Sequence, residues 1–167
     1  STTIYLPLQI KMGIPWTGQT YAIIAKEKKN TLFMVAGTHQ VYKMNSEDLL
    51  LPLVRIDSSA YYGDNYNCMG FLHRDTLYQY GGYGFWKNRD FFTRFIPVSG
   101  DWEFVQGGDA LENLLTLTFL DRPNSNFYSF GHYIQNSFSS FKPEFRDSIY
   151  QFNLISKKWK SLGQINP

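Results

Sequence analysis

Few residues in this chain stand at spacings that could carry out a reaction. Its three histidines, His39, His73 and His132, are scattered, and the single cysteine, Cys68, excludes an intrachain disulfide and a cysteine-rich zinc site. No metal site and no cofactor are expected. Four carboxylates, Asp57, Asp64, Asp109 and Glu112, fall in stretches that read as loops. Two of them converging in one pocket would supply the acid–base pair of a hydrolase or lyase. The chain has no phosphate-binding glycine loop and no G-x-S-x-G nucleophile turn. Gly81–Gly84 is not a dinucleotide fingerprint, because Trp86 and Lys87 follow where its last glycine would fall.

The chemistry that is well represented is recognition. Tyr83-Gly84-Phe85-Trp86-Lys87-Asn88 concentrates three aromatics in six residues, and Asp57–Tyr66 adds Tyr61, Tyr62, Asp64 and Tyr66. Aromatics edged by an amide and a few charges match the composition of binding surfaces. Tyr61, Tyr62, Asp64, Tyr66, Tyr83, Phe85, Trp86, Lys87 and Asn88 are therefore the candidate binding rim, with Trp86 as its anchor. The expected function is a non-catalytic binding or scaffolding module for a protein, peptide or glycan. The alternatives are a hydrolase or lyase using the loop carboxylates, and a sensory segment of a larger bacterial protein.

Composition narrows the partners. Of the 167 residues, 43% are hydrophobic and only 18% charged, which excludes a disordered chain. A net charge of +2 is too small for nucleic-acid binding by charge. No apolar run approaches the ~18 residues of a spanning helix. Neither nucleic acid nor membrane is expected as a partner. The first residues lack the basic and apolar regions of a signal peptide. The compartment stays open, the single cysteine being the one feature that favours the cytoplasm.

Something must position these loops, and the chain is internally repetitive. Thr31–Gly37 (TLFMVAG), Thr76–Gly82 (TLYQYGG) and Asn126–His132 (NFYSFGH) recur at spacings of 45 and 50 residues. Each is preceded, through a short polar turn, by a second strand: Thr20–Lys26, Asn67–His73 and Leu115–Asp121. Downstream, Arg89–Phe95 (RDFFTRF) matches Arg146–Phe152 (RDSIYQF), and Val41–Met44 fills this slot in the first unit. The duplicated Arg-Asp pairs read as structural ion pairs rather than catalytic ones. Trp102 and Trp159 each follow seven residues after the phenylalanine that ends this strand, opening WEFVQ and WKSLG, and Leu51 takes the position in the first unit. A further copy of the last strand, LPLQI, begins at Leu6. Four short antiparallel strands at this period are the pattern of a β-propeller blade.

The residues that follow Thr76 (TLYQYGG…RDFFTRF…DWEFV) resemble a kelch repeat: a di-glycine after an apolar strand, an aromatic strand, then a spaced tryptophan. The third unit resembles it with His132 in place of the second glycine. The resemblance covers residues 20–163. It implies an all-β, kelch-type β-propeller of about three four-stranded antiparallel blades plus one orphan outer strand. The whole chain, 1–167, reads as one partial propeller: an orphan strand at 4–10, a degenerate blade at 11–55, and blades at 56–106 and 107–163. Gly81, Gly82, Gly131, Trp102 and Trp159 are its structural repeat residues, the glycines leaving their strands at positive φ and the tryptophans filling the gaps between sheets. Cys68 is expected as a buried core residue on the strand Asn67–His73. The kelch fold also carries copper oxidases, galactose oxidase among them, but their ligand set finds no match around Cys68. Propellers close with about 4–8 blades. Three blades would leave two open apolar faces, so remaining blades or a second copy of the chain are expected partners.

Overall fold

The computed structural model describes residues 22–27, 29–35, 38–45, 47, 54–60, 65–66, 68–84, 87–105, 117–134 and 144–165. The first sheet is built from β1 (Ala22–Glu27), β2 (Asn30–Val35), β3 (Gln40–Asn45) and β4 (Val54–Arg55). The second uses β5 (Met69–His73) and β6 (Thr76–Tyr80), then β9 (Phe92–Ile96) and β10 (Asp101–Val105). Between its halves runs a small ribbon of β7 (Tyr83–Gly84) and β8 (Lys87–Asn88). The third sheet comprises β11 (Leu117–Asp121), β12 (Asn126–Ile134), β13 (Glu144–Asn153) and β14 (Lys158–Gln164). All three are antiparallel meanders whose strands lie side by side in chain order. Among the described residues there is no helix. This is an all-β, partial β-propeller-like fold. The expected strand at 4–10 lies outside the described residues.

The strand pairs form where the sequence alternates, but the segments after the glycine position differ from expectation. Gly81 and Gly82 do have positive φ, 70° and 101°. They do not end the hairpin. Pairing runs to Tyr80↔Phe92, slips by one residue across the glycines, and resumes at Tyr83↔Asn88. The third sheet slips in the same sense at the equivalent place, between Phe130↔Ile149 and His132↔Arg146. Gly131 and His132 thus lie inside β12, at a bulge rather than a turn. Both loops expected between the second and third strands are projecting β-ribbons at their bases. Tyr83, Lys87 and Asn88 belong to one; Tyr133 and Phe145 belong to the other.

Alternation decides what each face meets. On the second sheet, Met69, Phe71, Tyr80, Phe92 and Val105 share one face, and they join Phe127, Phe152 and Leu154 of the third sheet in a single core. Phe92 and Phe152 stack at 4.3 Å across this seam. Leu72, Leu77, Phe95 and Trp102 share the other face and meet Leu32 and Val41 of the first sheet. Trp102 pairs with Phe95, and Trp159 with Phe152, in equivalent registers. Each half-buried indole reaches back to the preceding sheet: Trp102 to His39, Trp159 to Tyr80 and Phe92.

Two expectations about burial are corrected. The far face of the first sheet is not open: Thr31, Gln40, Tyr42 and Met44 are buried there. The far face of the third sheet is open, with Leu117 and Phe119 67% and 58% exposed. Cys68 is half-buried rather than a core residue, and it precedes β5 instead of lying in it. Its N–H donates to the Asn65 carbonyl at 3.3 Å, which holds it in the loop that enters the strand.

Two outcomes follow from these burials. Phe92→Ala removes the ring common to both sheets of the larger core and is expected to cost about 3–5 kcal/mol in urea unfolding. His73 is buried at the end of β5 with no hydrogen-bond partner at Nε2. Burial, then the charges of Arg74 and Arg122, hold its pKa below the ordinary imidazole value. The unfolded chain therefore takes up this proton first, below about pH 6.5, so stability falls as pH drops from there towards the lower folded value. The urea midpoint is expected to decline from pH 7 to pH 5, and His73→Gln to flatten that decline.

Candidate functional site

The seam between the first two sheets is polar where it nears the rim. Asp57 is its centre, with a fully buried side chain. The Val41 N–H donates to Oδ1 at 2.7 Å, the Ser59 N–H to Oδ2 at 3.0 Å, and Arg55 to both oxygens at 3.1 and 3.0 Å. Burial pushes this carboxyl up, but Arg55, the Ser59 hydroxyl and the Val41 N–H outweigh it and hold its pKa below the usual range. The segment then crosses to the second sheet, where the Ser58 N–H donates to the Gly100 carbonyl at 2.8 Å and its hydroxyl to Asp101 at 2.6 Å. Gly100, at φ 76°, permits this approach, since a Cβ there would lie 3.1 Å from the Ile56 carbonyl oxygen. Trp102 Nε1 donates to the His39 carbonyl at 2.7 Å, completing the clamp.

The link from β2 to β3 spans only residues 36–39, whereas the second sheet continues through its ribbon. Between the two sheets lies a cleft of about 600 Å³. Its floor carries two buried amides, Asn65 and Gln79, 2% and 3% exposed. Asn65 Nδ2 donates to Gln79 Oε1 at 3.2 Å, and the Thr93 hydroxyl donates to the same oxygen at 3.4 Å. Gln79 Nε2 faces the Met34 sulfur. Asn65 Oδ1 is buried with no hydrogen-bond partner in the protein. Gly82 makes this floor feasible: a Cβ there would sit 3.0 Å from Asn65 Cα, on a backbone already at φ 101°. Phe91 and Phe104 form an aromatic wall, their ring centroids 5.2 Å apart, with Phe104 56% exposed. The Arg89 guanidinium lies 5.4 Å over the Phe91 ring. Trp102, Asp101, His39 and the Ser58–Ala60 segment also line the cleft.

Of the expected rim, Tyr66 and Tyr83 are brought together. Each donates its N–H to the other's carbonyl, at 3.0 and 2.7 Å, so Tyr66 lies alongside the ribbon as a bridged edge. Lys87 and Asn88 lie in β8; their side chains, and all of Tyr61, Tyr62, Asp64, Phe85 and Trp86, lie outside the described residues. So do Asp109 and Glu112. Asp57 sits in the structural network rather than in a pocket. Among the described residues, no three histidine, cysteine or acidic side chains cluster to hold a metal. Asn65, Gln79, Thr93, Phe91 and Phe104 were not singled out in the sequence. Alternation does place Phe91 and Thr93 on the face of Phe95, and Phe104 on that of Trp102.

No protein-family model matches this chain, and no curated protein matches it. Among solved structures it is similar to that of YjhT, with a TM-score of 0.66 at 13% identity over 87% of this chain. That likeness lies in the fold. This chain spans about half of that structure, 52% of its length.

The Asp57 network makes its own prediction. Asp57→Asn is expected to cost about 1–3 kcal/mol at pH 7, because donors from three residues, Val41, Arg55 and Ser59, lose a charged acceptor. The lowered folded pKa adds a sign: its contribution is complete above about pH 4 and is lost as pH falls through the folded value. Urea unfolding of wild type between pH 5 and pH 2 is expected to show this acid loss, and Asp57→Asn to lack it.

Proposed function

We propose that this chain is a non-catalytic binding or scaffolding module on a kelch-type propeller, taking a protein, peptide or glycan at its rim. The observation that carries the reading is the cleft between the first two sheets. There a buried polar floor meets exposed aromatic edges, beside the Tyr66–Tyr83 bridge that leads to the ribbon. Concave sites with a few placed polar groups and aromatic walls are where proteins take ligands. The kelch assignment draws support from order along the chain: Gly81-Gly82, the aromatic strand β9, then Trp102 in β10, with β13 and Trp159 repeating the pattern. The hydrolase or lyase alternative needs two convergent carboxylates, and Asp57 spends both oxygens on structure. Leu117 and Phe119 on the open face of the third sheet are read as the seat of a further blade, or of a second copy of the chain.

Trp86 is the proposed anchor at the ribbon. A ligand selected from peptide and glycan libraries is expected to lose about 2 kcal/mol of affinity on Trp86→Ala, at an unchanged melting temperature. A lower melting temperature with unchanged affinity assigns Trp86 to the interior instead.

A further inference from the structure

The cleft has a feature that its structural role leaves unexplained. Asn65 Oδ1 is an acceptor withdrawn from water, and the protein offers it no donor. Buried polar groups are almost always satisfied, so an orphan acceptor in a cleft floor calls for a donor from outside. The floor around it is built from side chains, not from a free strand edge: Gln79 Oε1 already receives Asn65 Nδ2 and the Thr93 hydroxyl. A peptide laid along a sheet needs the alternating N–H and C=O groups of a backbone edge. A ring bearing adjacent hydroxyls needs the reverse, namely fixed amide and hydroxyl side chains that accept and donate at close spacing. It also needs an apolar platform for its C–H face. Phe91 and Phe104 supply that platform at the mouth, and the Arg89 guanidinium over Phe91 holds one of the two rings in place.

We infer that this cleft is a saccharide subsite, in which a pyranose ring lies against Phe104 and one of its hydroxyls donates to Asn65 Oδ1. The inference rests on the binding-module reading and names its ligand class.

The test uses the whole chain and a panel of methyl pyranosides covering the common hexoses and N-acetylhexosamines. Binding is read by saturation-transfer NMR and quantified by titration. At least one glycoside is expected to receive saturation, strongest on the C–H face of its ring. Phe104→Ala, at an exposed position, is expected to weaken that glycoside tenfold or more with no change in melting temperature. Asn65→Leu, close in volume but lacking the acceptor, is expected to weaken it by a similar factor. Affinity unchanged in Phe104→Ala overturns the inference. So does a panel in which no glycoside receives saturation. In that second case, a peptide selected on the protein that loses affinity in Phe104→Ala or Trp86→Ala leaves the binding-module reading standing. Failure of both searches removes that reading as well.

Discussion

The second sheet is apolar on both faces, and the described structure hangs on that constraint. A sheet exposed on one side would alternate apolar and polar residues along each strand. Here β6 carries Leu77 towards the first sheet and Tyr80 towards the third, and β9 carries Phe95 one way and Phe92 the other. Neither face can be left in water, so a four-stranded unit must lie on each side. Trp102 and Trp159 extend this logic outwards. Each covers the outer part of a seam that the inner strands have already closed.

The two seams differ in what fills them, and the hairpins on either side differ in length. Across the larger seam, β12 and β13 continue past the bulge as far as Ile134↔Glu144, and the second sheet has its own ribbon. Across the smaller one, the first sheet stops at the short link between Val35 and Gln40. Across the larger seam Phe71 stacks on Phe127 and Phe92 on Phe152. Across the smaller seam Leu32, Val41, Leu77 and Phe95 pack together, and beside them Asp57, Ser58, Ser59 and the His39 carbonyl tie the sheets. The cleft lies beside this clamp, and Ser58, Ser59 and Trp102 of the clamp line it.

The strands were legible because their cause is local. TLYQY and NFYSF alternate with a period of two, and the observed β6 and β12 begin at Thr76 and Asn126, where those motifs begin. The glycines were half legible. Positive φ at Gly81 and Gly82 follows from residue type, but a turn and a bulge both use it, and the register of the facing strand chooses between them. The site was least legible. Asn65 and Gln79 have the composition of surface residues, and their burial depends on a loop and a neighbouring sheet far away in the chain. Asp57 carried the opposite error: a carboxylate in a loop looks available, and only its distance to the Val41 N–H reveals that it is not. Tyr66 and Tyr83 were grouped by composition, and backbone pairing supplies the reason they meet.

The account stands or falls on the clamp that ties the first two sheets together beside the cleft. Its most direct reporter is the Trp102 indole N–H, which donates to the His39 carbonyl at 2.7 Å across the seam. Hydrogen exchange of this single indole proton, followed by NMR in the folded protein, tests it. Exchange slowed by orders of magnitude relative to a free indole, and no faster than the Val41 amide that is bound to Asp57, is the predicted result. Exchange at the rate of a free indole would mean that the two sheets do not meet there, and neither the clamp nor the cleft it frames would survive.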